Sequence, residues 1–358
     1  MAEELMRIEL DYTYTYDQFT VFFYGYQVFI GKKDYPIGQC CVDVMNLDEL
    51  ILGEIDRRVR QFIPAARKLP TEKTDSAAAL AQERLNAVWE LIFALPVYRD
   101  LKMDKACCFH TFRRLMADRE KWAQVRDPSS EGYAIYQGMM AGLACFADSI
   151  RTFRLQIMEM TRTYFEPLKR RTSDAYAQAY SRFYSDMLSI GAHIFNDEFE
   201  QSFPLEVDFV PMMHPTEEGR VFVAEESTFN SLADFLRTEF YRGLALGNAP
   251  RQCHNCGRYF LLTDGYNTCY CNNVAPGELE RTCRKVGAHR KEALGKAYRP
   301  PARKEYDRTY NRLKVRKQRG KISVDGWNAA VAKAQELLEH SERGELTDEE
   351  LKRRFEAF

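Results

Sequence analysis

Apolar residues recur every three to four positions along most of the chain, the spacing of helices that bury one face. In LDELILGEIDRRVRQFIPAARKL that face is Leu50, Ile51, Ile55, Val59 and Phe62, and the helix is expected to close near Pro64, where a backbone N–H is missing. TEKTDSAAALAQERLNAVWELIFALP predicts a second helix, with Ser76 as N-cap and Pro96 at its end. A third is expected over 103–122. DPSSEGYAIYQGMMAGLACFADSIRTFRLQIMEMTRTYF predicts a long helix that starts around Ser129 and Ser130, with Cys145 on its core face. TSDAYAQAYSRFYSDMLSIGAHIFNDEFEQSF predicts another, capped near Ser173. Leu232, Phe235, Leu236, Phe240 and Leu244 mark one more, stopped by Gly247-Asn248.

Two stretches break this period. Residues 7–30, RIELDYTYTYDQFTVFFYGYQVFI, are rich in Tyr, Phe, Thr, Val and Ile and alternate in part over 8–14. They predict one or two strands, or a strand running into a short helix, with DYPIGQ at 34–39 as a turn. LEVDFVPMMHPTEEGRVFVAEES holds two β-like runs around PTEEG, a hairpin near 205–225. Helical spacing returns over 302–319 and 323–342. TDEELKRRFEAF closes as a short helix, in which Thr347 and Glu350 have capping-box spacing.

Composition adds a charge asymmetry. The net charge is -1, yet residues 251–358 hold 23 Lys/Arg against 15 Asp/Glu, and residues 1–250 hold 28 against 37. The stretch 281–321 alone carries 16 basic and 3 acidic residues. A basic arm on an acidic body implies a polyanionic partner, or docking of the arm on the body itself. MAEELMRIEL has no apolar leader core, and no run reaches the length of a membrane-spanning helix. A cytoplasmic location without membrane contact is the expectation. Ten cysteines in such a setting predict thiols and metal ligation rather than a disulfide framework. Cys40-Cys41 and Cys107-Cys108 read as small buried hydrophobes.

Half of those cysteines fall between Arg251 and Lys321. Cys253-His-Asn-Cys256 is a CxxC followed by Gly257, which leaves room for backbone amides to face two sulfurs, and by Tyr259-Phe260, which can pack under a metal. Zinc takes four tetrahedral N/S ligands. Cys271 and Cys283 are the expected third and fourth; Cys269 and His289 stand as alternatives. A closed site of four protein ligands leaves no position for water, so the Zn2+ is read as structural.

The stretch GNAPRQCHNCGRYFLLTDGYNTCYCNNVAPGELERTCRKVGAHRKE resembles the signature of an uncharacterised bacterial family, a domain of unknown function. The resemblance extends through the basic helices and more loosely into the helical body. It implies Cys253, Cys256, Cys271 and Cys283 as the metal ligands. More distantly, the arrangement is similar to the CGNR-type zinc fingers of bacterial regulators, which implies DNA binding. Here RKVG follows Cys283 where those fingers carry Gly-Asn-Arg.

On a helix from 302 to 319, Tyr306, Tyr310 and Leu313 form a packing stripe. Arg303, Lys304, Arg308, Arg312, Lys314, Arg316, Lys317 and Arg319 cover the remainder as candidate phosphate contacts. No P-loop, GxGxxG, GxSxG or HExxH motif is present. The expected fold is mainly α: a helical body with a small β-rich N-terminal piece and a β-hairpin (1–247), a zinc-finger module (248–299) and basic C-terminal helices (300–358). The expected function is non-enzymatic zinc binding with DNA or RNA contact through those helices, the acidic body serving a protein partner. The alternatives are a protein-interaction adaptor with purely structural zinc, and an enzyme with an unrecognised site in the body.

Overall fold

The run FTVFFY carries large side chains at odd and even positions alike, so a strand built from it must bury both faces. In the computed structural model it does. Residues 14–72, 74–189, 203–213, 219–263, 267–297 and 300–358 are described. Strands β1 (Phe19–Tyr24), β2 (Gln27–Ile30), β3 (Lys33–Pro36), β4 (Glu206–Met213) and β5 (Val221–Phe229) form one antiparallel sheet in the order β3-β2-β1-β5-β4. Phe19, Val21 and Phe23 face the main core with Val28, Ile30 and Phe229. Phe22 points the other way, into a smaller cluster with Phe29, Met212, Phe222 and Ala224. The N-terminal piece and the hairpin, separate in the sequence, are thus one sheet, joined by the Phe19↔Phe229 to Phe23↔Glu225 register.

Several local expectations change. Residues 34–36 are strand rather than turn, since β3 pairs with β2. Gly31 between them has φ 58 and lies so close to Asp100 that a Cβ would sit 2.1 Å from its carbonyl oxygen. The strand expected over 8–14 falls, up to residue 13, outside the described residues, as does PTEEG up to Gly219.

The chain divides into two compact units, Met1–Cys271 and Asn272–Phe358. The first holds helices α1 (Gln39–Met45), α2 (Glu49–Glu72), α3 (Asp75–Ile92), α4 (Lys105–Cys108), α5 (Thr111–Ala117), α6 (Arg119–Arg126), α7 (Glu131–Met160), α8 (Ser173–Ser189) and α9 (Leu232–Ala245). Helix α2 runs through Pro64 and Pro70, because Ala65, Ala66 and Leu69 beyond the first proline are buried and offset the lost hydrogen bond. Its buried face is Leu52, Ile55, Val59 and Phe62; Leu50 and Ile51 face outward. Thr74, not Ser76, caps α3, accepting from the Ala77 amide at 3.2 Å. The helix expected over 103–122 is broken into α4, α5 and α6, first at Phe109-His110 and then at Asp118, whose side chain caps α6. Helix α7 starts where expected, with Ser130 Oγ accepting from Tyr133 N at 3.0 Å. Cys145 on α7 is exposed, one position off the face of Leu143, Phe146 and Ala147.

The apolar face of α9 carries one charge, Glu239, which is fully buried. Its carboxylate accepts from Gly38 N at 2.8 Å, Cys40 N at 3.1 Å and Cys41 N at 2.9 Å. These amides open α1, which has no side-chain cap of its own. A helix start concentrates unpaired donors and partial positive charge, so a carboxylate there needs no neighbouring cation. Burial nevertheless holds the Glu239 carboxyl above the ordinary carboxylate range, against the pull of the Cys41 thiol and the three amides.

The second unit holds α10 (Cys283–Ala297), α11 (Pro301–Gln318), α12 (Val324–Glu342) and α13 (Asp348–Glu356). Tyr306 packs with Ala302, Ala334, Leu337, Leu338, Leu351 and Phe355 in a separate small core. The Thr347–Glu350 capping box opens α13 as its spacing predicts. No described helix is long and apolar enough to cross a membrane.

Replacing Glu239 by Ala is expected to leave three buried amides unsatisfied and to destabilise the body by about 3 kcal/mol or more. Urea unfolding of the full chain measures this. A loss below about 1 kcal/mol would show that the Glu239 cap contributes little net stability.

Candidate metal centre

The centre begins with a two-stranded hairpin, β6 (Ala249–Gln252) and β7 (Tyr259–Leu262), paired from Ala249↔Leu262 to Gln252↔Tyr259. The CxxC forms the connection. Gly257, at φ 75, turns the chain so that its amide reaches Cys253 O at 2.9 Å, and Cys253 N reaches Arg258 O at 2.8 Å. Asn46, just past α1, serves β7 as a surrogate strand. Its Nδ2 donates to Tyr259 O and its Oδ1 accepts from Tyr259 N, both at 2.8 Å. The helix capped by Glu239 at one end therefore holds the cysteine hairpin at the other.

The structure brings Cys253, Cys256, Cys271 and Cys283 together, with the four sulfurs all within 4.8 Å of one another. Cys253, Cys271 and Cys283 are buried and Cys256 is half-buried. Cys256 Sγ and Cys271 Sγ stand 3.7 Å apart, and none of the ten cysteines is in a disulfide. Four thiolates each ~2.3 Å from one tetrahedral zinc stand ~3.8 Å from one another. The set is therefore compatible with a bound metal ion in its chemistry, its count and its spacing.

The electrostatics favour thiolate at the first cysteine of the group. Burial alone would raise the Cys253 thiol, but amides of Cys271, Cys256 and Asn255 and the Cys256 thiol outweigh it and pull it down to about 7. The Cys271 amide is 3.4 Å from Cys253 Sγ. Amides facing sulfur are the donors that the glycine after a CxxC makes room for. Cys283 is the first residue of α10, and its amide is tied to Asn273 O at 2.8 Å. Cys269 and His289 lie outside the four-sulfur group: Cys269 accepts from His254 N through its carbonyl at 2.9 Å, and His289 is exposed on α10.

A polar network behind the CxxC was not legible in the sequence. The π-helical turn Thr161–Phe165 that ends the α7 rod delivers Glu166. Glu166 Oε1 accepts from His254 Nε2 at 2.8 Å and from Arg251 Nη2 at 3.2 Å. Arg171 Nη2 donates to Glu166 O at 2.9 Å, and Arg251 Nη1 to Thr268 O at 2.8 Å. Arg171 and Arg251 are both buried. The network binds His254 to a carboxylate and so removes it as a rival ligand inside its own CxxC. It also sets two guanidinium groups against one carboxylate beside a group of thiols. Glu166 and Arg171 lie more than 80 positions before Cys253, so no local spacing signals them.

All eight candidate phosphate contacts lie on α11 or at its end, and most are engaged within the unit. Arg312 and Arg316 donate to the carbonyls of Phe355 and Phe358 at the end of α13. Arg303 lies over the Tyr306 ring and 3.9 Å from Asp307. Arg308 pairs with Glu305 at 2.6 Å, Lys317 lies over Trp327, and Lys304 is likewise engaged. Lys314 and Arg319 are exposed.

Residues 200–357 match the model of a family of unknown function (DUF6076). The match takes in the β4–β5 hairpin, α9, the four cysteines of the centre and the helices after it; its description assigns no metal and no activity. No curated protein and no solved structure matches the chain.

Purified protein is expected to carry one tightly held metal per chain, measured by elemental analysis. Cys253→Ser and Cys283→Ser should each lose it, while Cys269→Ser and His289→Ala keep it. Retention of full metal content by Cys283→Ser would exclude Cys283 as a ligand.

Proposed function

We propose that the chain is a non-enzymatic zinc-binding protein whose zinc is structural and whose basic C-terminal helices contact DNA or RNA. The observation that carries this is the convergence of four sulfurs, three of them buried, at the start of the most basic stretch of the chain. An all-thiolate tetrahedral set suits zinc, and a site filled by four protein ligands has no open position for a reacting water. The metal would hold the start of α10, where Cys283 is the first residue. From there to Lys321 the chain carries a large excess of Lys and Arg. Cations placed in this way neutralise phosphates and release counterions, so affinity depends on salt more than on sequence.

A second reading, a protein-interaction adaptor, is favoured by one feature of the body. Val207 and Phe209 on β4 and Val221 and Val223 on β5 share one face of the hairpin and are all exposed. Exposed apolar strips of this kind mark contact surfaces.

Zinc-loaded protein is expected to bind short DNA or RNA at low salt, with affinity falling steeply as salt rises. Removal of zinc by a strong chelator should weaken that binding. Absence of retention on either nucleic acid at low salt would refute the nucleic-acid reading. A protein partner that survives nuclease treatment and is lost in Phe209→Ser would then support the adaptor.

A further inference from the structure

The basic residues after the centre divide into two groups that the sequence does not separate. On α11 the cations mostly serve the fold. Arg312 and Arg316 neutralise the carbonyl end of α13, where a cation is favoured by the helix dipole and by the unpaired acceptors. Asp307 and Glu305 on the same helix offset Arg303 and Arg308.

On α10 the pattern is different. Arg284, Lys285, Arg290 and Lys291 are all exposed, and no ion pair or hydrogen bond engages their side chains among the described residues. Arg284 and Lys291 are seven residues apart and lie on one face; Lys285 and His289, four apart, form the row beside it. The preceding loop folds back on the start of this helix. Ala275 N donates to Arg281 O at 2.9 Å and Val274 bridges Thr282, so Asn272 is carried next to Thr282. The result is a groove of about 600 Å3 lined by Asn272, Thr282, Arg284, Lys285 and His289, with Glu292 the one carboxylate on it. It is open, cationic and furnished with an amide and a hydroxyl, the donor set that a phosphodiester uses.

We infer that α10, through Arg284, Lys285 and Lys291 and the groove beside them, is the element that binds the nucleic-acid backbone, and that α11 is chiefly its structural support. This rests on the nucleic-acid reading above and assigns it a surface. The groove takes phosphates of the backbone rather than base edges, so the contact is expected to be tolerant of sequence.

The test uses the full zinc-loaded chain and a fluorescent short duplex DNA, with single-stranded RNA of the same sequence as a second arm. Two triple variants are compared with wild type: Arg284→Gln/Lys285→Gln/Lys291→Gln on α10 and Arg303→Gln/Arg308→Gln/Lys314→Gln on α11. Each phosphate contact contributes about 0.9 to the slope of log affinity against log salt on duplex DNA, so the α10 variant should lose about 2 to 3 from the slope. At low salt it should bind at least about tenfold more weakly, with zinc content unchanged. The α11 variant should lose less than about 1 from the slope. If the α10 triple variant is misfolded, the single Arg284→Glu change must still weaken binding in a protein with full zinc content. Wild-type binding that the α10 variants leave intact overturns this inference and not the nucleic-acid reading. No binding by wild type to either probe overturns both.

Discussion

Four sulfurs within 4.8 Å of one another set the terms for the last third of this chain. Thiols so close cannot all ionise unless a cation lies among them, because like charges at that separation each raise the cost of the next. With a metal the same closeness becomes cohesive, and its binding energy is available to the local fold. Among the described residues from Ala249 to Cys283, regular pairing is confined to the short β6–β7 pair and the Val274–Thr282 bridge, with scattered backbone bonds beside them. A small loop-rich module of this type has little apolar area with which to order itself, and a bound ion would act there as a staple.

The hairpin that presents the first two cysteines is in turn held by the body: Ala249 and Tyr259 join the main apolar core, and a set of polar links fixes its position. Glu239 on α9 caps the start of α1, Asn46 at the far end of α1 pairs with both main-chain groups of Tyr259, and Glu166 grips Arg251 and His254. Apolar packing is tolerant of small slips, whereas a carboxylate shared by three amides or a side-chain amide bonded at both ends fixes position within fractions of an ångström. Such positioning suits a site whose ligands must meet at one point.

Charge is divided by task. Cations on α11 are drawn into the small core of the second unit, where Arg312 and Arg316 complete the end of α13 and Lys317 lies on Trp327. Arg284, Lys285, Arg290 and Lys291 on α10 are exposed. A count of basic residues treats the two helices alike, but the electrostatic potential that a polyanion meets depends on which of them are already neutralised.

What the sequence by itself determined is the chemistry with short range: the helical periods of α7, α9, α11 and α12, the Thr347 capping box, the Gly247 stop, and the CxxC of Cys253 and Cys256, with Cys271 and Cys283 expected beside it and Cys269 and His289 left as alternatives. Each depends on residues a few positions apart, or on a residue type with one dominant use. Tertiary structure decided the remainder. It carried α2 through Pro64 because burial beyond the proline outweighed the lost bond, and it fused β1 with β5 into one sheet across about 200 residues of chain. It also chose Glu239, Asn46 and Glu166 for roles that no neighbouring residue announces. A buried carboxylate or amide is defined by the partner it meets, and when that partner lies some 90 to 210 residues away, only the folded chain brings the two together.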